Sequence, residues 1–383
     1  MKIVYYLPSL VASGGIERII TFKANYFAEH FENYDITIIT SEQMGEKPYF
    51  ELSPKVKHID IDVPIDRPYS QSRLKKYVAY PYRYYLFKNR LSKTLKMLSA
   101  DIFISTMRRE LNFINDLKDG SIKIGEFHVT RSAYGSEMIQ SRNFIVKCIR
   151  TYFAKRFIYN LSRLQKIILL THEGSSEWPE LCNIEVIPNP ISSKLINKQS
   201  DSLNKKVIAV GRYVPQKGFD ILISAWQKVS QKHPDWELNI FGDGQLRQSY
   251  QRLINELGIN ENCFLRTSVQ NIYDKYIESS IFVLSSRYEG LPLVLGEAMS
   301  YGVAPVSFSC PYGPKDMIEN GINGILVKNG DCEELANQIC LLIEDPQKRK
   351  SIAEQAYTSS RMYYMENIVV EWTHLFETII KNN

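Results

Sequence analysis

Short apolar runs rich in β-branched residues alternate along the chain with longer segments of helical spacing. In the first half, the pattern predicts strands at KIVYYLP, DITIIT, KVKHIDI, DIFIST, IKIGEF and QKIILLT. In the second half, it predicts strands at KVIAVG, ELNIFG, CFLRT, IFVLSS, VAPVSF and GILVKN. Unbroken apolar strands separated by helices are typical of parallel sheets covered on both faces. The pattern therefore predicts an α/β protein with two doubly wound, Rossmann-like domains.

The boundary between the domains is predicted within VIPNPISSK, residues 186–194, because Asn-Pro followed by a polar tract is typical of a linker. We predict an N-terminal domain over residues 1–188 and a C-terminal domain over residues 189–364. The clearest helices are GGIERIITFKANYFAEHF and KGFDILISAWQKVSQKH. Ligands of such sheets bind beyond the carboxyl ends of the strands, so we expect the site in a cleft between two facing domains.

Composition indicates a soluble globular protein. The chain has 383 residues, of which 44% are hydrophobic and 23% charged. No apolar run approaches the ~20 residues of a membrane-spanning helix, and the first residues lack the pattern of a signal peptide. The six cysteines form no CxxC pair and the six histidines do not cluster. We therefore expect free thiols, a reducing cytoplasm and no metal site.

Basic charge is concentrated in the first half of the chain. Residues 1–190 hold 27 Lys and Arg against 20 Asp and Glu, whereas the remainder holds 20 against 22. Two stretches, 67–99 and 138–166, contain no acidic residue and many aromatic ones. Such stretches suit an anionic membrane surface. A solvated basic face is an alternative; a nucleic-acid surface is disfavoured because no recognised module is present.

The stretch YEGLPLVLGEAMSYG, residues 288–302, predicts a short buried helix. Pro292 suits its first position and Gly302 suits its end. Glu289 then lies in the loop before the helix, and Glu297 lies inside it. A buried carboxylate requires a partner. The stretch alone leaves two possibilities for that partner, an internal arginine or a polyhydroxylated ligand.

The stretch VIAVGRYVPQKGFDIL, residues 207–222, runs from a strand through a loop into a helix. Arg212 follows the strand, and Lys217 and Gly218 lie where the helix is expected to begin. Two cations beside a helix N-terminus suit a polyanion such as a diphosphate. The spacing differs from the phosphate loop GxxxxGK[ST], and a solvated loop with two surface cations fits the same pattern.

Two further candidates follow strands of the first half. Gly14 and Gly15 open a helix, where paired glycines allow a ligand to approach the backbone closely, and a plain entry turn fits as well. His128 comes just after a strand end, where a lone histidine is more often structural than catalytic. Asp243, in IFGDGQLRQSY, is predicted to have only a turn role.

In combination, these motifs resemble the GT-B glycosyltransferases of family GT4, which are retaining and use nucleotide-sugars. The motifs are GGIER at 14–18, GRYVPQKG at 211–218, EGLPLVLGEAMSYG at 289–302 and NGINGILV at 320–327. The resemblance covers nearly the whole chain and is strongest over residues 205–345. It implies two Rossmann-like domains that face an interdomain cleft, and a C-terminal helix over 365–383 that crosses back to the N-terminal domain.

The resemblance also implies a binding role for each candidate in the second half. Glu297 would bind the ribose hydroxyls of the nucleotide, so a buried carboxylate there is tolerable. Glu289 would bind hydroxyls of the transferred sugar. The amides of Gly290 and Leu291 would meet the sugar or the diphosphate. Backbone near Val269 would meet the base.

The remaining roles implied by the resemblance concern charge and the acceptor. Arg212 and Lys217 would hold the diphosphate and stabilise the charge that develops as it leaves. Gly14 and Gly15 would close on it from the N-terminal domain. His128 would lie near the sugar and the incoming acceptor. Because the two cations neutralise the leaving group, no metal or other cofactor is expected.

The function that the resemblance implies is transfer of a sugar with retention of configuration, by front-face attack and with the departing phosphate taking the acceptor's proton. The donor would be a nucleotide-sugar, with UDP preferred. The acceptor would be a glycan, polyprenyl-diphosphate-linked, in capsule, O-antigen or exopolysaccharide synthesis at the cytoplasmic face of the inner membrane. The alternatives are a UDP-sugar 2-epimerase of the same fold and a nucleotide-sugar-binding protein without transferase activity. The sugar and the linkage stay open.

Overall fold

The computed structural model of the chain describes residues 1–65, 73–128, 131, 144–191, 199–269 and 271–382. The chain divides into two compact units, each built on its own sheet. Unit 1 comprises Met1–Leu169, Ser175–Ile187 and Glu371–Asn383, and unit 2 comprises Leu170–Gly174 and Pro188–Val370. Helices of the described residues are numbered in chain order.

Unit 1 is built on a seven-stranded sheet in the order β3-β2-β1-β4-β5-β6-β7, and every neighbouring pair is parallel. Its strands are β1 Lys2–Tyr6, β2 Asp35–Thr40, β3 Lys57–Asp60, β4 Ile102–Ser105, β5 Ile122–Glu126, β6 Lys166–Leu169 and β7 Ile184–Val186. Its first three helices are α1 Gly15–His30, α2 Arg73–Leu98 and α3 Phe144–Ser162.

Helix α2 covers unit 1 with one apolar stripe. Phe87, Leu91 and Leu95 recur every fourth residue and are fully buried in one cluster with Phe103 of β4. Residues four apart lie on the same helix face, so the spacing alone directs this stripe to the sheet. The lysines of this part of α2, Lys88, Lys93 and Lys96, are exposed.

Unit 2 is built on a six-stranded parallel sheet in the order β10-β9-β8-β11-β12-β13. Its strands are β8 Lys206–Val210, β9 Glu237–Phe241, β10 Cys263–Arg266, β11 Ile281–Leu284, β12 Ala304–Phe308 and β13 Ile325–Val327. Its helices are α4 His172–Ser175, α5 Phe219–Lys232, α6 Arg247–Glu256, α7 Tyr273–Ile277, α8 Leu293–Ser300, α9 Pro314–Met317, α10 Cys332–Glu344 and α11 Pro346–Ser360.

The last helix, α12 Met365–Lys381, is shared between the units. Residues from Glu371 onward group with unit 1. Within unit 1, Phe376 of α12 packs against Phe27 of α1, with ring centres 5.8 Å apart. The end of the chain is thus part of the core of unit 1.

In each sheet the strand order reverses between the first strand and the fourth. The reversal lies between β1 and β4 in unit 1, and between β8 and β11 in unit 2. Loops at the carboxyl ends of such strand pairs form the ligand crevice of doubly wound sheets. The candidate residues of each unit are therefore sought in these loops.

The predicted fold class is confirmed, with two parallel α/β sheets of doubly wound order. Among the described residues, twelve of the thirteen strands are predicted by the sequence; β7 is the exception, with three half-buried residues at a sheet edge. The helices predicted after the first strand of each half, α1 and α5, are also confirmed. None of the described helices combines the length and the apolarity needed to cross a membrane.

Candidate functional site

The loops that follow β8 and β11 meet at the strand-order reversal of unit 2 and are joined by an ion pair. Lys217 Nζ lies 2.7 Å from Glu289 Oε1. The Ser286 hydroxyl donates a hydrogen bond to the same oxygen, at 2.5 Å. Glu289 is only 6% exposed, so these two donors replace the water that the carboxylate has lost.

A second ion pair joins the loop after β11 to the first turn of α5. The Arg287 guanidinium donates to both carboxylate oxygens of Asp220, at 3.0 and 2.6 Å, and to the Pro215 carbonyl at 2.6 Å. Burial raises the pKa of Asp220, but the hydrogen bonds and charge of Arg287 prevail and hold it below its ordinary value. Bidentate ion pairs of this kind fix the orientation of both side chains as well as neutralising their charges.

Gly218 allows the two loops to approach this closely. Its φ is +61°, and a Cβ there would lie 2.1 Å from the Ser285 carbonyl oxygen. Ser285 also donates from its hydroxyl to the Lys217 carbonyl, at 2.9 Å. Helix α5 begins at Phe219, directly after Gly218, which confirms the predicted helix start. Lys217 is therefore presented at a helix N-terminus.

Glu297 lies inside α8 and is 2% exposed, as the sequence predicts. The Tyr276 hydroxyl donates to its Oε2 at 3.4 Å. The helix begins at Leu293, one residue later than predicted, because Pro292 has an extended backbone. Gly302, with φ +68°, lies just past the end of α8, as expected.

Arg212 and Val269 lie in loops at the carboxyl ends of β8 and β10, and both side chains are exposed. The Asp243 carboxylate accepts hydrogen bonds from the Ser268 amide at 2.9 Å and from its hydroxyl at 2.5 Å. The prediction that Asp243 has only a turn role is therefore wrong. Its side chain fixes the loop that carries Val269.

The backbone of Gly290 and Leu291 and the thiol of Cys310 also lie near the Lys217–Glu289 pair. Leu291 is buried and Gly290 half-buried. Burial raises the pKa of the Cys310 thiol to about 12, and the Glu289 carboxylate adds to this effect. A thiol protonated at neutral pH is a poor nucleophile, so Cys310 contributes packing rather than chemistry.

In unit 1, Gly14 is the N-cap of α1 and Gly15 its first residue. A Cβ at Gly15 would meet nothing within 4 Å, and one at Gly14 would meet only the flexible carboxylate of Glu17. Among the described residues, packing therefore gives no reason for the two glycines. The approach of a ligand to these two glycines stays a prediction.

His128 lies just beyond β5, and its side chain is 4% exposed. Its Nε2 lies 3.4 Å from Glu126 Oε1. Burial lowers the pKa of His128 to about 4; the Glu126 carboxylate opposes this shift, and the charges of Lys23 and Arg108 reinforce it. The imidazole is therefore neutral at pH 7.

The structure thus separates the predicted site residues by unit. Gly14, Gly15 and His128 lie in unit 1, and the other seven lie in unit 2. It brings Lys217 and Glu289 into direct contact. Sequence reasoning missed Ser286, Arg287 and Tyr276; only the position of Ser286, two residues after an apolar strand, could have indicated it. The ligand role of each residue stays a prediction.

The comparisons with known proteins agree with this geometry. A family model described as "Glycosyl transferases group 1" matches residues 193–359. A Haemophilus influenzae protein named as a glycosyltransferase is 31% identical over 376 residues, which cover 97% of this chain and 98% of that relative. A Campylobacter jejuni N-acetylgalactosaminyltransferase, whose name specifies a glycan on PP-undecaprenol, is 27% identical over 391 residues, 99% of both chains.

Among solved structures, Staphylococcus aureus TarM has the same fold. That structure, a complex with Fondaparinux, alpha-GlcNAc-glycerol and UDP, has a TM-score of 0.75 to this chain. The two chains are 17% identical, and the alignment covers 98% of this chain and 99% of TarM. The likeness extends over both parallel sheets.

Breaking the Lys217–Glu289 pair from either side is expected to destabilise unit 2. Lys217→Met or Glu289→Gln alone leaves one buried group unpaired and should cost about 3 kcal/mol. The double variant removes both charges and should recover at least ~1 kcal/mol of the summed loss. Denaturant unfolding of all four proteins measures this coupling, and strictly additive losses would contradict it.

Gly218→Ala is expected to damage unit 2 more than its backbone angle alone explains. Gly258 offers the matched control, since its φ is +66° and a Cβ there would meet nothing within 4 Å. Gly258→Ala should cost about 1–2 kcal/mol, and Gly218→Ala at least ~2 kcal/mol more, because Ser285 must move. Equal losses in thermal or denaturant unfolding would show that the loop contact is not tight.

Proposed function

The chain belongs to the group 1 glycosyltransferases of the GT-B fold, and from this premise we propose that it transfers a sugar from UDP to a lipid-linked glycan with retention of configuration. The observation that carries the proposal is the buried Lys217–Glu289 pair at the strand-order reversal of unit 2. It places a cation and a carboxylate together where such sheets bind nucleotides.

The proposed donor site uses charge for the diphosphate and carboxylates for hydroxyls. Lys217, at the N-terminus of α5, and Arg212, in the same loop, face the diphosphate, where helix amides add to their charge. Glu297 accepts hydrogen bonds from the ribose, and Glu289 accepts them from the sugar. UDP in the TarM structure supports a uridine nucleotide, and a cation pair of this kind makes a metal unnecessary.

The proposed mechanism follows from how Glu289 is held. Retaining glycosidases use one carboxylate as a nucleophile, but Glu289 Oε1 is already bonded by Lys217 and Ser286. We therefore favour attack on the face that the diphosphate leaves. The bond from the anomeric carbon to the phosphate oxygen breaks as the acceptor oxygen bonds to that carbon, and the departing phosphate takes the acceptor's proton. Lys217 and Arg212 stabilise the charge that develops.

The proposed acceptor is lipid-linked because of the surfaces of α2 and α3. Both helices lack acidic residues, and α3 exposes the aromatic side chains Tyr152, Phe153 and Tyr159. Cations and aromatic rings together suit an anionic membrane surface. The PP-undecaprenol substrate in the name of the Campylobacter relative supports the same acceptor class. The proposed location is the cytoplasmic face of the inner membrane.

A donor panel tests the proposed reaction. UDP-, GDP- and ADP-sugars are incubated with the protein in EDTA, with and without a lipid-linked glycan, and the released nucleoside diphosphate and any new nucleotide-sugar are measured. We expect release from one UDP-sugar, and a product with the donor's anomeric configuration by NMR. A new nucleotide-sugar would indicate an epimerase, whereas binding without cleavage on either arm would indicate a binding protein.

A UDP-binding measurement tests Glu297. Glu297→Gln removes the charge that strengthens the ribose hydrogen bonds, and UDP affinity should fall roughly 10- to 100-fold, on the order of 1.5–3 kcal/mol. Glu261→Gln, an exposed carboxylate of the same unit, is the control and should leave affinity unchanged. Calorimetry with UDP measures both. Equal affinity in the two variants would remove Glu297 from the site.

Vesicle sedimentation tests the proposed membrane surface. Lys155→Ala/Arg156→Ala on α3 removes two exposed cations and should weaken binding to anionic vesicles by about 2 kcal/mol, roughly 30-fold. Lys348→Ala/Lys350→Ala on α11 removes two exposed cations from unit 2 and is the control for net charge. If both double variants bind alike, or the parent protein does not bind, the surface is not a membrane contact.

A further inference from the structure

Unit 1 buries a charged cluster behind the end of β5 to which the proposed reaction assigns no role. Lys23 of α1 and Glu126 of β5 are fully buried and form an ion pair. Lys23 Nζ also lies 4.3 Å from the centre of the Trp372 ring of α12 and 5.7 Å from that of Tyr5 of β1. Four elements thus converge on one ammonium group.

Stability alone does not account for the buried pair. Lys23 occupies the apolar face of α1, among the buried residues Ile19, Ile20, Ala24 and Phe27. Burial lowers the pKa of Lys23, and the Glu126 carboxylate only partly offsets this. Replacing such pairs by apolar side chains is often neutral or stabilising. A reason for keeping the charges is therefore sought in their neighbours.

The neighbour of the pair at the end of β5 is His128, whose two ring nitrogens are buried. Its Nε2 lies 3.4 Å from Glu126 Oε1, without the alignment of a hydrogen bond. Among the described residues, neither ring nitrogen has a hydrogen-bond partner, and Glu126 Oε2 also lacks one. Leaving a buried polar atom unpaired costs about 1–3 kcal/mol. A ligand hydroxyl that accepted or donated a hydrogen bond at the ring would supply one of the missing partners.

We propose that Lys23 and Glu126 are positioning residues for His128: the Lys23 charge helps to keep the imidazole neutral and the Glu126 carboxylate orients its Nε2 proton, so that Nδ1 accepts a hydrogen bond from a substrate hydroxyl. The hydroxyl belongs to the transferred sugar or to the acceptor, and in this respect the inference rests on the proposed function. The state of the imidazole does not depend on that function.

The charges around His128 determine the sign of the expected pH effect. They are Glu126 from β5, Lys23 from α1 and Arg108 from the loop after β4. Burial is the largest cause of the lowered pKa, Glu126 opposes it, and the two cations add to it. Removing the Lys23 charge leaves Glu126 free to attract a proton to the ring. The pKa of His128 should then rise, whereas removing the Glu126 charge should lower it further.

NMR titration of protein labelled with ¹⁵N-histidine tests the inference without any assay of activity. His128→Gln assigns the resonance. We expect the parent His128 to be neutral from pH 5 to 8, with the proton on Nε2, and Lys23→Met to raise its midpoint by at least ~1 pH unit. Lys123→Met is the matched control, since Lys123 is also buried on β5 but pairs with Asp119; it should leave His128 unchanged.

The pH dependence of transfer gives the second readout. In the parent protein, titration of His128 should cause no fall in kcat between pH 8 and pH 5. Lys23→Met should acquire an acid limb, because a protonated ring cannot accept the hydroxyl's hydrogen bond. Glu126→Gln should lower kcat roughly 10-fold at every pH, because the ring loses the charge that orients its Nε2 proton. The Lys23→Met/Glu126→Gln double variant should show no fall in kcat at low pH.

A parent His128 that titrates near its ordinary value, or that carries its proton on Nδ1, would overturn the inference. So would equal midpoints in Lys23→Met and Lys123→Met. If Lys23→Met does not fold, the tautomer in Glu126→Gln decides, because the preference for Nε2 should then be lost. If no donor were cleaved or bound, the proposed function would be excluded. The NMR titration would still decide whether Lys23 and Glu126 position His128.

Discussion

The contact between the loops after β8 and β11 is the constraint on which the candidate site of unit 2 depends. Lys217, Ser286 and Glu289 make up one side of it, and Arg287 with Asp220 the other. The loops belong to strands that are neighbours in the sheet but distant in the chain. The sheet brings them together, and the ion pairs then fix side chains whose position the sheet alone would leave open.

The sequence predicts the sheets well because most of their strands are buried on both faces. Continuous apolar runs are a strong signal, and β7 is missed because it has only three half-buried residues. The lysine and glutamate of the unit 2 pair are each predicted as site residues, but their pairing is not. It depends on the strand order and on the tight approach at Gly218, neither of which is a property of a short stretch of sequence.

Lys23 and Glu126 are not selected from the sequence, because the local apolar pattern conceals them. Each lies within a segment whose apolar neighbours define the element, and a single charge does not disturb the pattern of α1 or β5. A lysine at the spacing of Ile20 and Phe27 was nevertheless a usable signal, because a cation on a buried helix face requires a partner. Tertiary packing determines which carboxylate pairs with this lysine. It also determines that His128 lies beside that carboxylate.

The positions of the cysteine thiols allow site-specific labelling of the chain for spectroscopy. Cys310, like Cys263 and Cys340, is buried, whereas Cys148 on α3 and Cys182 are exposed, and both exposed thiols lie in unit 1. Cys332 of unit 2 is half-buried, so it must be replaced by serine before a maleimide dye marks unit 1 alone; the buried thiol beside Glu289 is spared. With Cys182 replaced by serine, an environment-sensitive fluorophore on Cys148 would sit among the cations and aromatic rings of α3, where a blue shift reports contact with lipid.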